Sequence, residues 1–314
     1  MKKLFLALLL TSLGWSDPIL PQSQFVEVEP NVRLQVLDWG GSGPPLVLLA
    51  GLGDNAHVFD HFAHQFTDRF RVIGITRRGF GLSSQPETGY DVATRARDDL
   101  RVLDALGMSK AVFVGHSMAG DELSKLGADH PDRVEKLVYL DALEYGTHAR
   151  LPQPPSPEYS DRDVASLELF SAANARFFGH RASESSMRET YRFDADGKVI
   201  APVSPPEIAR KMARGSQQAD YARIKAPVLA IFAPLAPHTP GYGYLTPQQK
   251  RDFQRTYPPI VAWQKKAFQR FRKGIPQATV FELPGAYHYI YITNEAFVVE
   301  KMRNFLSVKS KERP

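Results

Sequence analysis

Short, mostly apolar runs recur along the chain, separated by stretches whose apolar positions follow a helical period. Pro45–Gly51 (PLVLLAG), Phe70–Thr76 (FRVIGIT), Ala111–Val114 (AVFV), Val134–Leu140 and Val228–Phe232 (VLAIF) are short and bounded by turn residues. Such runs predict strands buried on both faces, the signature of a parallel sheet. Between them, Asp121–His130 is amphipathic and stops at Pro131, and the alternation from Leu46 to Leu140 predicts helices on both faces of that sheet. Upstream, Phe25–Val28 and Val32–Leu37 alternate around Pro30–Asn31, which predicts an opening hairpin. The rhythm breaks between Leu143 and Ile224, where a stiff Pro-rich stretch at Leu151–Pro157 precedes helical patterns over Asp163–Phe178 and Pro206–Gln217. A helical insertion over the strand ends is expected there. After Val228–Phe232 comes a long excursion, Ala233–Gln277, then a last strand at Ala278–Leu283 and a closing helix at Glu295–Ser307.

The pattern predicts an α/β fold in one core, residues 17–142 and 225–314, interrupted by a helical cap at 143–224. A length of 314 residues with 43% apolar content suits one such core with an insertion. The first 16 residues read differently. Lys2 and Lys3 precede the apolar run Leu4–Leu10, too short to span a bilayer, and small residues follow to Ser16. This is the pattern of a secretory signal with cleavage near Gly14 or Ser16, so an exported protein, periplasmic or secreted, is expected. An uncleaved anchor is the alternative. There are no cysteines, so the fold must be held by its core alone. Removing residues 1–16 deletes two lysines and no acids, taking the formal charge from +5 to +3, too slight and dispersed for a nucleic-acid partner.

Candidate chemistry sits just past the strand ends, where open α/β sheets bind ligands. Gly115-His116-Ser117-Met118-Ala119-Gly120 follows the AVFV strand and opens a helix, a strand–turn–helix context that lifts the Ser117 hydroxyl out of the backbone. Of nine histidines, His288 alone follows the final strand, with His238 a weaker rival in a Pro-flanked loop. Imidazole, with an ordinary pKa of about 6.5, can accept the serine proton and return it near neutral pH.

With Arg78-Gly79-Phe80-Gly81-Leu82-Ser83, Gly115-His116-Ser117-Met118 and Gly285-Ala286-Tyr287-His288 in this order, the chain from about residue 24 to 307 resembles an α/β-hydrolase. It departs from the common pattern at Ala50, where many members carry histidine, at Thr76, where many carry aspartate, and mildly at Ala119 in place of glycine. The resemblance implies a nucleophile elbow at Ser117 and a triad in the order serine, acid, histidine. In most of the family the acid follows the penultimate strand. Here that strand runs into Ala233-Pro234-Leu235-Ala236-Pro237, without a carboxylate, and the first acid beyond is Asp252, within a predicted helix. Asp141, at the exit of the preceding strand, occupies a placement that certain haloalkane dehalogenases use; Glu144 is its rival. The oxyanion hole would be the backbone N–H groups of Leu52 and Met118. Arg78 is expected to brace loops, and Asp121 and Glu122, one turn past the serine, to form structural salt bridges.

The expected activity is that of an exported serine hydrolase cleaving a carboxylic ester through an acyl-enzyme; amide hydrolysis, or a scaffold that only binds a ligand, are the alternatives. A serine nucleophile excludes the aspartyl chemistry of epoxide hydrolases and haloalkane dehalogenases. Phe177, Phe178, Tyr191, Tyr242, Tyr244, Tyr287 and Tyr289 favour an apolar substrate portion. No cofactor or metal is called for, and no membrane contact beyond the export signal; oligomeric state is left open. Two competing patterns are weaker. Gly51-Leu52-Gly53-Asp54-Asn55-Ala56 imitates a dinucleotide fingerprint, but Ile75-Thr76-Arg77 stands where its ribose-binding acid belongs. His57, His61 and His64 share a helical face, yet a metal site needs further ligands.

Overall fold

The computed structural model describes residues 20–144, 151, 158–235 and 240–308. The expected export signal, the Pro-rich stretch 152–157 and His238 lie outside the described residues. Eight strands form one sheet in the order β1-β2-β4-β3-β5-β6-β9-β10. They are β1 Gln22–Glu29, β2 Val32–Gly40, β3 Pro45–Leu49, β4 Arg71–Ile75, β5 Ala111–His116, β6 Val134–Leu140, β9 Val228–Phe232 and β10 Thr279–Glu282. The opening hairpin is antiparallel, turning at Asn31 with φ 64°, and β2 pairs antiparallel with β4. Every other pairing is parallel.

The mostly apolar runs follow from coverage on both faces. Because side chains alternate along a strand, Val47, Leu49, Ile73, Ile75 and Phe113 face one layer and Leu46, Leu48, Val72, Val112 and Val114 the other. The first layer contains α1 (Val92–Ala105) and α2 (Ala119–Asp129), through Leu100, Leu103, Leu123 and Leu126. The second contains the helical turns around Phe59 and Phe62 and, later in the chain, the closing helix through Val298 and Met302. A polar residue on these strands needs partners: Lys136 of β6 is buried and donates to the carbonyls of Phe305, Leu306 and Val308 at the end of the chain's closing helix.

The insertion between β6 and β9 holds α3 (Leu167–Phe178), α4 (Glu184–Thr190), a hairpin of β7 (Tyr191–Phe193) and β8 (Val199–Pro202), and α5 (Pro206–Gly215). Ser166 caps α3 at Leu169 N–H, and Gly179, with φ 77°, ends it. The hairpin is absent from the sequence-based expectation because its strands have only three and four residues and no continuous apolar run. The helix expected around Asp252 is α6, Pro247–Gly274, longer than its pattern indicates at 28 residues. Pro258 and Pro259 break its pattern to the eye, each removing a backbone donor. Its buried face, Phe253, Tyr257, Ile260, Gln264, Ala267, Phe268 and Phe271, nevertheless keeps helical spacing, and a capping box joins Thr246 and Gln249 at its start. The closing helix, α7, spans Glu295–Ser307 as expected.

Contacts tie the insertion to the strand-exit loops. Asn55 Nδ2 donates to Ser186 O at 2.9 Å and Thr190 Oγ1 at 3.1 Å, and Ser183 Oγ donates to His57 O at 3.2 Å. Ile208 and Met212 of α5 pack with Phe80, Tyr90 and Met118. His57 lies between Asp60 at 2.9 Å and Glu189 of α4 at 3.3 Å; although burial opposes its charge, the two carboxylates raise its pKa to about 9. It is therefore cationic near neutral pH. His61 instead meets Glu295 at 2.8 Å, so these two histidines are committed to different acids.

Candidate active site

Strand β5 delivers Ser117 at its carboxyl end, and the backbone there is strained. Ser117 has φ 55°, one of three described non-glycine residues at positive φ, with Asn31 and Asp141. Its O accepts from Gly120 N–H at 3.0 Å, turning the chain directly into α2. The close return of that helix explains the small residues around it. A Cβ on Gly115 would come within 2.9 Å of Ala119 Cβ, and one on Gly120 within 2.9 Å of the Ala142 carbonyl. Ala119 fits, but its methyl needs the bare Gly115 opposite.

The other two candidates converge on this turn from neighbouring strand exits. His288 Nε2 lies 2.8 Å from Ser117 Oγ, and Nδ1 lies 2.6 Å from Asp141 Oδ2. A carboxylate only accepts, so Nδ1–H donates to Asp141 and Nε2 is left to accept from the serine hydroxyl. Asp141 leaves β6 with φ 45°; its N–H donates to Ile231 O at 2.8 Å, and its Oδ1 accepts from Ala233 N–H at 2.9 Å. The carboxylate is thus held from β9 while it holds the imidazole. The rival acids are elsewhere: Glu144 pairs with Arg270, Asp252 with Arg255 at 3.0 Å and Glu282 with Arg272 at 2.7 Å.

Three residues around this chain of hydrogen bonds were not singled out from sequence. His116 is buried, its ring centroid 4.5 Å from that of His288, and its Nε2–H donates to His288 O at 3.1 Å. Burial and the neighbouring His288 hold its pKa well below the ordinary histidine value, so it stays neutral and fixes the His288 backbone. Asp54 is the second. A Cβ on Gly51 would lie 3.0 Å from Asp54 Oδ2 and 3.3 Å from Ser117 Cβ, so a carboxyl and the serine flank the same backbone atom. Burial raises the Asp54 pKa to about 6 against the opposing effects of the Tyr289 hydroxyl, which donates to it at 3.2 Å, and of His288 and Arg77. Arg77 is the third, and its bonds run to the carbonyls of Ala50 and Gly51. Its signal in the sequence was the unexplained acid pair at 121–122, which needed a cation.

For His288, burial works against the charged form, but the hydrogen bond and charge of Asp141, with the charge of Asp54, raise its pKa overall. A base acts when neutral, so any activity it supports is lost as pH falls through this raised value. Asp54→Asn removes one of the charges that raise it. The expected result is a kcat/KM–pH profile whose acidic limb moves to lower pH, and an unmoved limb would show that Asp54 and His288 are not electrostatically linked.

Met118 follows Ser117 directly and Leu52 follows Gly51, where a Cβ would lie 3.3 Å from Ser117 Cβ; neither N–H donates to a backbone carbonyl in a turn or loop among the described residues. Arg78 braces the loops as expected, with a fork onto Asp98 at 2.6 and 2.7 Å. Of the aromatic residues, Phe178 and Tyr289 approach each other with centroids 6.1 Å apart, and the His180 ring packs tilted against Tyr289 at 4.5 Å, which brings the insertion to the tyrosine that bonds Asp54. Tyr242 belongs instead to a separate cluster with Phe253 and Tyr257.

Comparison with known proteins gives the family and the fold. A family model described as alpha/beta hydrolase fold matches residues 44–233. The 2-(acetamidomethylene)succinate hydrolase of Mesorhizobium japonicum is 35% identical over 105 residues, 33% of this chain and 38% of that protein. A non-heme chloroperoxidase of Streptomyces lividans is 33% identical over 172 residues, 52% of this chain and 59% of that one. The chain therefore spans between 38% and 59% of the length of these curated relatives. The crystal structure of E-2-(acetamidomethylene)succinate hydrolase superposes with a TM-score of 0.67 at 21% identity, covering 92% of this chain and 100% of the other, a likeness of fold.

Proposed function

The chain belongs to the α/β-hydrolase fold family, and on that premise we propose that it is a serine hydrolase cleaving carboxylic esters of small or medium apolar substrates. The observation that carries this reading is the continuous chain from Ser117 Oγ through His288 to Asp141, at 2.8 and 2.6 Å. In the proposed reaction Ser117 Oγ attacks the ester carbonyl as His288 Nε2 takes its proton, and Asp141 stabilises the imidazolium. The N–H groups of Leu52 and Met118 receive the negative charge on the carbonyl oxygen. Collapse of the tetrahedral intermediate returns the proton to the departing alcohol and leaves an acyl-serine. Water, activated by the same imidazole, then releases the acid.

Asp54 favours an uncharged acyl group, because a second carboxylate beside Ser117 would face it across a partly desolvated pocket. The relative named for a succinate derivative supports an amide-cleaving alternative, but such dianions need cationic partners. Arg77, which bonds this loop, already carries Glu122, and His57 is held by Asp60 and Glu189. We assign residues 143–224 the role of a cap that narrows access, and the lysine-led apolar leader supports export through residues 1–16. A panel of nitrophenyl esters of increasing acyl length, run beside aminoacyl anilides, tests the reading. Turnover of the neutral esters with slow or no anilide cleavage is expected. A purified protein that neither turns over esters nor reacts with a fluorophosphonate would leave a ligand-binding scaffold instead.

A further inference from the structure

We infer that Arg77 and Glu122 are positioning residues that fix the orientation of the Gly51–Leu52 peptide, the upstream half of the oxyanion hole. The inference rests on the serine-hydrolase reading above. Arg77 leaves the carboxyl end of β4 and is only 6% exposed. Its Nε donates to Glu122 Oε1 at 2.7 Å and its Nη2 to Glu122 Oε2 at 2.5 Å, a two-point fork. The donors that remain reach the loop after β3: Nη1 to Gly51 O at 3.1 Å and Nη2 to Ala50 O at 2.9 Å.

Peptide planarity turns these contacts into an orientation. In a trans peptide the carbonyl of one residue and the N–H of the next point in opposite directions. With Gly51 O drawn to the guanidinium, Leu52 N–H is directed away from it. Residue 50 is alanine, so no side chain from that position braces the loop. Glu122 stands in the first turn of α2, the helix that Met118 precedes. One ion pair thus refers both N–H donors to the same frame, and if the peptide rotated, a carbonyl dipole would replace a donor where negative charge develops.

A purely structural role accounts for less of this. Arg77 and Glu122 belong to a buried cluster in which Arg95 approaches Glu122 at 3.5 Å and Asp121 at 3.9 Å. Burial and the charge of Glu122 push the Asp99 carboxyl well above the ordinary carboxylate range. A buried ion pair adds little stability over an apolar pair of equal volume. Bonds to two successive carbonyls made together with a two-point fork onto Glu122 are a different property, which the five donors of a guanidinium supply.

The test compares Arg77→Lys, Glu122→Gln and, as a member of the same cluster that makes no bond to the loop, Asp99→Asn. For each, kcat and KM on a nitrophenyl ester are measured beside the inhibition constant of an alkyl boronic acid, which forms a tetrahedral adduct on serine. Arg77→Lys should lower kcat about 100-fold and Glu122→Gln about 10-fold, with KM within about twofold. Boronate affinity should fall in the same ratio as kcat/KM. Asp99→Asn should leave both unchanged, whatever it does to the melting temperature. If Arg77→Lys does not fold, Glu122→Gln carries the test. Folded variants with lowered melting temperature but unchanged kcat and boronate affinity would overturn the inference, as would an equal loss in Asp99→Asn. A wild-type protein that binds no boronate and takes no fluorophosphonate would instead remove the serine-hydrolase reading beneath it.

Discussion

Ser117→Ala is expected to lower kcat by on the order of 10⁶ while the protein stays folded. The substitution removes one oxygen and keeps Cβ, so the left-handed turn at φ 55° meets no new clash, and the bond between His288 and Asp141 is untouched. The residual rate would come from substrate binding and the oxyanion hole, which alone leave roughly 10³ to 10⁴ over water in related chemistry. Ester turnover and fluorophosphonate labelling, read beside circular dichroism, check the result. Turnover within tenfold of wild type would place the nucleophile elsewhere.

Asp141→Asn should cost about 10⁴ in kcat. The reason lies in the two donors that share this side chain. Ala233 N–H donates to one carboxylate oxygen and His288 Nδ1–H to the other. Asparagine offers one acceptor oxygen and one NH₂ group, and the backbone N–H cannot change its role. The amide oxygen therefore turns to Ala233 and the NH₂ to His288, which forces the proton onto Nε2 and leaves the serine hydroxyl without an acceptor. Glu144→Gln makes the contrast. Glu144 pairs with Arg270 rather than with the imidazole, so its loss should appear in the melting temperature and leave kcat within a few-fold. A larger kcat loss in Glu144→Gln than in Asp141→Asn would reverse the assignment.

The parts of the fold that could be read in advance are those where burial acts on consecutive residues. Val134–Leu140, Val228–Phe232 and Glu295–Ser307 have the bounds their apolar patterns indicate. A helix around Asp252 is legible, but the full 28 residues of α6 are not, because Pro258 and Pro259 contradict propensity while tertiary burial of Phe253, Tyr257 and Phe271 overrides it. The same division runs through the candidate site. Ser117 and His288 could be named because each lies past a strand exit in a motif of the resemblance, and Asp141 because that resemblance allows the acid at the exit of the strand before. Arg77 could not, since its partner lies 45 residues away and its bonds end on carbonyls, which carry no residue identity. His116 and Asp54 were likewise silent, because a ring packed on His288 and a carboxyl against Gly51 are products of the folded backbone alone.

Of the three described non-glycine residues with left-handed backbone, two are Ser117 and Asp141. Such a conformation costs roughly 1 to 3 kcal/mol for an ordinary residue and almost nothing for glycine. For a laboratory evolving this protein toward heat resistance, the two positions are therefore traps. A library ranked by melting temperature alone would be drawn toward glycine at 117 above all, since at 141 the bond from Ala233 N–H opposes it, enriching clones that melt at higher temperature and do no chemistry. Thermal selection on this scaffold has to be gated by turnover in every round.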